Sequence, residues 1–173
     1  ANNFIYYAEK LEQTANVKDM IAQAKACKAY AYLELTKTFC YPPAIVKLDS
    51  KYDLGLPLMK TRDDNIEAIV NPPKRATAVE TMDYIKQLFT EALADLDASR
   101  KDVGYWTVYG VKGMLARVCL YREEWAEALS YAEAAAQGGS CIPYAEYVDK
   151  VNLAKQAESL FEMQFDVNDH NSD

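Results

Sequence analysis

The feature that most constrains the fold is a stretch of helical sequence that occurs twice. The two copies read AKACKAYAYLELTKTF, residues 24–39, and YGVKGMLARVCLYREEWAEAL, residues 109–129. They come into register when Ala29 is aligned with Ala116. A Glu-Ala-Leu triplet closes the second copy and also occurs at residues 91–93. A small-residue helix followed by an EAL helix, used twice, predicts stacked helical hairpins.

We therefore predict a mainly all-α fold with tetratricopeptide-like helical hairpins. The sequence Thr77-x-x-Glu80 is a capping box that begins one helix. Gly138-Gly139 predicts a left-handed exit from the last long helix. Residues 160–165 alternate apolar and polar side chains, which predicts a short C-terminal strand. Helices are predicted from apolar spacing and flanking signals over residues 3–15, 17–39, 77–98, 107–121 and 124–137, with a helical turn at 144–148.

Residues 40–76 interrupt the first hairpin and are predicted to be a long loop insertion. Tyr41-Pro42-Pro43 ends the preceding helix, because proline lacks the amide hydrogen and restricts the residue before it. Loops of this length are usually functional or disordered. The apolar run at residues 54–59 indicates that this one packs onto the domain. Because the chain begins at Ala1 without a methionine, we interpret residues 1–173 as a single, incomplete helical domain of a larger protein.

Composition and motifs narrow the functional classes. The formal net charge of −7 leaves no basic field for a nucleic acid. No apolar run approaches the roughly 20 residues that span a bilayer. The four cysteines lack metal-ligand spacing and are predicted to be reduced thiols. The single histidine, His170, has no catalytic neighbours, and no phosphate loop or hydrolase motif is present. We predict no catalytic residue, no metal, no cofactor and no enzymatic activity.

Tyrosine is unusually common, with 13 copies. Those at helical spacing are interpreted as packing residues: Tyr30, Tyr32, Tyr84, Tyr121 and Tyr131. Aromatic rings in loops or at helix starts can stack on sugar rings. The candidate carbohydrate contacts are therefore Tyr41, Tyr52, Tyr105 and Trp106.

Five segments, in order, resemble the SusD/RagB-like proteins, which are surface glycan-binding lipoproteins of Gram-negative bacteria. They are KACKAYAYLELTKTF, YDLGLPL, RATAVETMDYIKQLFTEALADL, MLARVCLYREEWAEALSYAEAAAQ and ESLFEMQF. Two positions depart from the family pattern: Cys40 stands where glycine is usual, and Lys28 where arginine is common. The match covers nearly the whole chain.

The resemblance implies a non-enzymatic protein that binds an oligosaccharide and passes it to a TonB-dependent outer-membrane transporter (SusC-like). It implies a surface-exposed lipoprotein of the cell outer membrane, whose lipid anchor lies outside this fragment. Two alternatives stay open. One is a generic helical-repeat protein–protein adaptor that binds no sugar, and the other is a glycan-cleaving enzyme that uses a carboxylate pair. The long insertion at residues 40–76 favours the glycan-binding protein over the adaptor, because ordinary tandem repeats do not need such an insertion.

Overall fold

The fold is a helical array described by a computed structural model that covers residues 1–151, 153 and 157–163. Two 3-10 turns accompany the α-helices, at Ser50–Tyr52 and Tyr144–Glu146. The α-helices are α1 (Asn2–Ala8), α2 (Ala15–Phe39), α3 (Pro43–Val46), α4 (Arg62–Val70), α5 (Ala78–Asp95), α6 (Val108–Tyr121), α7 (Trp125–Ala136) and α8 (Tyr147–Lys150). The mainly helical fold predicted from the repeated helical sequence is confirmed.

Two antiparallel pairs, α2 with α5 and α6 with α7, make the main helix contacts, and α5 also packs on α6. Ala22, Ala26 and Ala29 are buried on α2, and their small side chains allow α5 to approach closely. Leu33 on α2, Phe89 on α5 and the α6 residues of the core complete one contiguous apolar interior. Burial of this interior provides most of the driving force for folding.

Threonine hydroxyl groups cap the starts of α2, α5 and α6. The predicted capping box is confirmed: Glu80 N donates to Thr77 Oγ1 at 3.0 Å, and Thr77 N donates to Glu80 Oε2 at 2.8 Å. Thr14 caps α2 and Thr107 caps α6 by a single bond each, in which the hydroxyl oxygen accepts from the amide of the third residue along. These bonds satisfy amides that a helix start leaves without intrahelical partners.

The N-terminal helix is shorter than the apolar spacing predicted. It ends at Ala8 instead of Ala15, and α2 begins at Ala15 instead of Val17. Gln13 stabilises the connection, since its side-chain amide donates to the carbonyls of Ala8 and Leu11 at 3.0 and 2.9 Å. A side chain that occupies these carbonyls replaces the helical bonds that would have extended α1.

Residues 40–76 pack onto the domain, but they are not wholly loop. They contain α3, a 3-10 turn and α4. A second capping box begins α4, where Asp64 N donates to Thr61 Oγ1 and Thr61 N donates to Asp64 Oδ2. The loop interpretation overlooked this Thr-x-x-Asp signal. The boundaries of the segment as an insertion stay a prediction.

Two local predictions are wrong. The left-handed exit predicted at Gly138-Gly139 is absent, since no glycine among the described residues has a positive φ. The described residue with a positive φ is Glu123, at 62°. Gly138 is required for another reason, because a Cβ there would lie 2.2 Å from Tyr109 Cγ. Residues 160–163 form no strand; their backbone instead bonds to side chains and loops, as where Thr107 Oγ1 donates to Leu160 O at 3.0 Å. Residues 164–165 of the predicted strand lie outside the described residues.

The predicted helical turn near residue 144 is confirmed by the 3-10 turn and α8. None of the described helices has the length and the apolar character needed to cross a membrane.

Candidate functional site

Two of the four candidate aromatic residues, Tyr41 and Tyr52, come together on the surface. Their ring centroids lie 4.7 Å apart and their planes are inclined by 60°. Half of Tyr41 is exposed. Lys51 Nζ lies 4.7 Å from the Tyr52 ring centroid and pairs with Asp49 at 2.8 Å. The two rings and the two charged groups form a surface that offers both apolar faces and hydrogen-bonding groups, which we call the tyrosine pair site.

The charges of this site are mutually stabilised. Hydrogen bonding to Lys51 lowers the pKa of Asp49 below its usual range. Hydrogen bonding to Asp49 and to Tyr52 raises the pKa of Lys51. Both groups therefore carry full charge at neutral pH and are available as acceptor and donor.

Arg75 fixes the backbone on either side of the tyrosine pair site. Its Nη2 donates to the carbonyls of Phe39 and Leu54, each at 3.0 Å, and its Nε donates to Gly55 O at 2.6 Å. The planar guanidinium thus ties the end of α2, just before Tyr41, to the chain that follows Tyr52. Sequence reasoning missed this arginine, since no local pattern indicates which carbonyls a side chain 36 residues away will reach.

The YDLG part of the sequence docks on the first turn of α5. Asp53 Oδ1 accepts from Ala78 N at 2.7 Å, which adds a carboxylate at the positive end of the helix. Gly55 N donates to Ala76 O at 2.7 Å. A Cβ on Gly55 would lie 2.2 Å from Thr77 O, so only glycine fits this approach. The chain next to Tyr52 is therefore held in one conformation.

An apolar groove of about 350 Å³ opens beside Tyr41. The C-terminal end of α2, helix α3, the start of α5 and the end of α6 form its walls. It is lined by Leu33, Thr36, Lys37, Cys40, Tyr41, Pro42, Pro43, Val46, Lys47, Ala78, Val79, Met82, Tyr121 and Arg122. Its volume falls in the range of small-ligand sites. The groove makes the tyrosine pair site continuous with an apolar surface.

Tyr105 lies apart as an exposed surface residue. It is 53% exposed, and the Arg100 guanidinium carbon lies 4.9 Å from its ring centroid. Arg100 in turn pairs with the buried carboxylate of Asp19. The ring keeps accessible surface and stays a candidate contact.

Trp106 is a core residue, and its assignment as a ligand contact is wrong. It is 1% exposed, and its ring stacks on Phe161 with centroids 3.8 Å apart and planes inclined by 7°. Its Nε1 donates to Cys27 Sγ at 3.3 Å. With both the ring and the indole N–H engaged, Trp106 has no face to offer a sugar. The position at a helix start did not reveal this, because Phe161 is distant in sequence.

Within the described part of the chain, three potential metal ligands come together: Cys119, Glu124 and Glu127. Lys86 Nζ lies between the two carboxylates, at 2.7 Å from Glu124 Oε2 and 2.5 Å from Glu127 Oε2. Burial raises the pKa of the Cys119 thiol to about 11. The Lys86 ammonium and the Arg122 guanidinium, whose Nε lies 2.7 Å from Glu124 Oε1, together neutralise these carboxylates. The thiol stays protonated, so the cluster serves to join α5 to α7.

Comparison with known proteins places this geometry in a structural context. No family model matches the sequence, and no curated protein matches it. Solved structures do match. A SusD superfamily protein from Bacteroides thetaiotaomicron superposes with a TM-score of 0.84 at 22% identity, over 97% of this chain and 37% of its own. A putative sugar binding protein from Bacteroides vulgatus superposes with a TM-score of 0.81 at 26% identity, over 97% of this chain and 39% of its own. A laminarin-binding SusD-like protein superposes with a TM-score of 0.70 at 16% identity, over 92% of this chain and 34% of its own.

The resemblance inferred from the sequence is confirmed at the level of the fold: this chain has the helical architecture of SusD-like proteins. It spans less than two fifths of the length of the first two matched structures, with 37% and 39% of them covered.

Proposed function

We propose that this chain is the helical part of a non-enzymatic protein that binds an oligosaccharide at the bacterial cell surface and delivers it to a TonB-dependent outer-membrane transporter. The observation that carries the proposal is the superposition of 97% of the chain on SusD-like structures, one of them described as a putative sugar binding protein. The tyrosine pair site gives it a physical basis.

Sugar rings present apolar C–H faces together with hydroxyl groups, and exposed aromatic rings with polar neighbours suit both. The Tyr41 and Tyr52 rings supply the faces, and the ion pair of Lys51 with Asp49 supplies a donor and an acceptor. The clamp by Arg75 holds the site before the ligand arrives. Such preorganisation lowers the entropic cost of binding.

The test is calorimetric titration of the complete protein with a panel of oligosaccharides. The variant Tyr41→Ala/Tyr52→Ala is compared with Tyr144→Ala, a tyrosine that is 97% exposed elsewhere on the surface. We expect the double variant to lose about five- to thirtyfold in affinity, which corresponds to about 1–2 kcal/mol for two aromatic contacts. Tyr144→Ala should bind as the wild type does. Recovery of the transporter when the tagged protein is isolated from outer membranes tests the delivery step.

A protein–protein adaptor is the second candidate, and the apolar groove favours it. Val79 and Tyr121 are exposed apolar side chains in the wall of this groove, where they can receive side chains of a partner. An adaptor would bind no sugar in the panel, and the substitution Val79→Lys, at an exposed position in the groove, would abolish partner recovery. Binding of a glycan that depends on Tyr41 and Tyr52 would contradict the adaptor reading.

A further inference from the structure

A second cleft, distinct from the tyrosine pair site, lies between residues 58–60, residues 73–76 and the outer face of α5. It encloses about 390 Å³, and its walls are mainly polar. From its lining we propose that this cleft binds a hexuronic acid residue of the glycan, with Lys60 and Lys74 receiving the sugar carboxylate. The inference rests on the proposed function and adds a ligand class to it.

The first argument is the hydroxyl of Tyr84. This side chain lines the cleft and is only 8% exposed. Its hydroxyl makes no hydrogen bond to any part of the chain that the structure describes. Burial raises the pKa of Tyr84, so the hydroxyl stays protonated and can donate. The hydroxyl oxygen is not among the described buried atoms that lack a partner, so it reaches solvent in the cleft and is open to a ligand hydroxyl there.

The second argument is that some charged side chains of the cleft wall already have a partner within the chain and others do not. Neither Lys60 nor Lys74 forms an ion pair with a carboxylate within residues 1–151. Glu80 is engaged in the capping box, where the amide of Thr77 holds it and lowers its pKa. Asp83 pairs with Arg122 at 2.5 Å. The two carboxylates of the wall thus have internal partners. Lys60 Nζ lies 5.7 Å from the Tyr84 ring centroid and its charge also helps to lower the pKa of Glu80, but neither ammonium group is in an ion pair, so both can receive a ligand anion.

The third argument is that a sugar fits better than a simple anion. Gln87 donates its amide to Glu91 at 2.7 Å, which leaves its carbonyl oxygen as an acceptor within the lining. Tyr84 adds a donor to the same cleft. A cleft of this size, with separate groups for hydroxyls and for an anion, matches a sugar ring that carries a carboxylate.

The wall formed by residues 58–60 is held rigidly from behind. Asn2 Nδ2 donates to the carbonyls of Met59 and Thr61 at 3.0 and 2.8 Å. Lys28 Nζ donates to Lys60 O at 3.0 Å, and Met59 N donates to Tyr32 Oη at 2.7 Å. Such support fixes the backbone at Lys60 before a ligand arrives, which favours affinity.

The experiment compares two ligands that differ only in the carboxylate: a trigalacturonate and its carboxyl-reduced counterpart, a galactose trisaccharide of the same linkage. Each is titrated into the complete protein at low ionic strength. We expect the acidic ligand to bind about tenfold more tightly, and added salt to reduce that preference. In Lys60→Gln/Lys74→Gln the preference should fall to near unity, while Lys101→Gln, an exposed lysine elsewhere, should keep it.

Tyr84→Phe removes only the hydroxyl and should weaken both ligands several-fold without lowering the melting temperature. Equal affinity for the two trisaccharides would overturn the inference. So would a preference that survives in Lys60→Gln/Lys74→Gln, or displacement of the acidic ligand by equimolar acetate. In each of these cases, neutral glycans that bind through Tyr41 and Tyr52 would leave the proposed function standing. Failure of every glycan to bind would contradict both this inference and the proposed function.

Discussion

Gly55 lies so close to the first turn of α5 that a Cβ on it would stand 2.1 Å from Thr81 Oγ1. The carbonyl oxygen of Thr77 would be only 2.2 Å away. Thr81 is fully buried and accepts the Leu56 amide at 3.0 Å, so it has no room to withdraw. The contact joins the insertion to the core at a point where no side chain can be added.

We predict that Gly55→Ala lowers the free energy of unfolding by about 2–3 kcal/mol, because the backbone must separate to admit the methyl group. Urea denaturation of the complete protein measures this. Gly113→Ala is the matched control, since the nearest atom to its Cβ would be Leu160 Cδ1 at an ordinary 3.7 Å. That substitution lies within α6 and should raise the free energy of unfolding by about 0.5–1 kcal/mol. Equal effects of the two changes would contradict the close-approach explanation.

Trp106 gives the second prediction. Trp106→Ala removes a fully buried ring together with its stack on Phe161, so the free energy of unfolding should fall by about 3–5 kcal/mol. Tyr105→Ala, one position earlier, removes an exposed ring and should change it by less than about 1 kcal/mol. In Trp125→Phe the remaining tryptophan fluorescence should resist iodide quenching. Ready quenching would show that Trp106 is accessible after all.

Local signals in the sequence were sufficient for the long helices, and distant contacts were not visible in it. The capping box of Thr77 and the apolar stripe of α5 lie within a few residues of one another, so periodicity identified that helix. The sequence indicates Tyr41 and Tyr52 as aromatic residues in a loop, but their proximity depends on Arg75, which bonds across 36 residues to Phe39. The burial of Trp106 depends on Phe161, a contact that no periodicity specifies.

Lys28 gives a prediction about pH. Burial lowers its pKa from 10.5 to about 8 in the folded protein. Between these pH values the unfolded chain binds the proton and the folded chain does not. The free energy of unfolding should therefore rise with pH, by up to about 1.4 kcal/mol per unit. Below pH 8 the ammonium is charged in both states, and this slope disappears.

The experiment compares the wild type with Lys28→Met by urea denaturation from about pH 7 to about pH 9.5. The upper limit is chosen because, at higher pH, tyrosines with a raised pKa make the free energy of unfolding fall with pH. The difference between the two proteins should grow with pH above 8, since Lys28→Met lacks the titrating group. Lys101→Met should parallel the wild type throughout. A constant difference between wild type and Lys28→Met would mean that the folded pKa of Lys28 is not lowered.

Arg75 gives the last prediction, as a positioning residue for the tyrosine pair site. Arg75→Lys replaces a planar fork that reaches three carbonyl oxygens with a single ammonium. We expect the free energy of unfolding to fall by about 1–2 kcal/mol and the glycan affinity to fall several-fold. Arg117→Lys, an exposed arginine on α6, is the matched control and should change neither.

A double-mutant cycle separates positioning from general destabilisation. If Arg75 acts through the two tyrosines, adding Arg75→Lys to Tyr41→Ala/Tyr52→Ala should cause no further loss of glycan affinity, while the loss of stability should still add. Calorimetric titration at a temperature well below both melting transitions measures the first quantity, and urea denaturation measures the second. An additional affinity loss in the combined variant would mean that Arg75 contributes to binding by a route that does not involve Tyr41 and Tyr52.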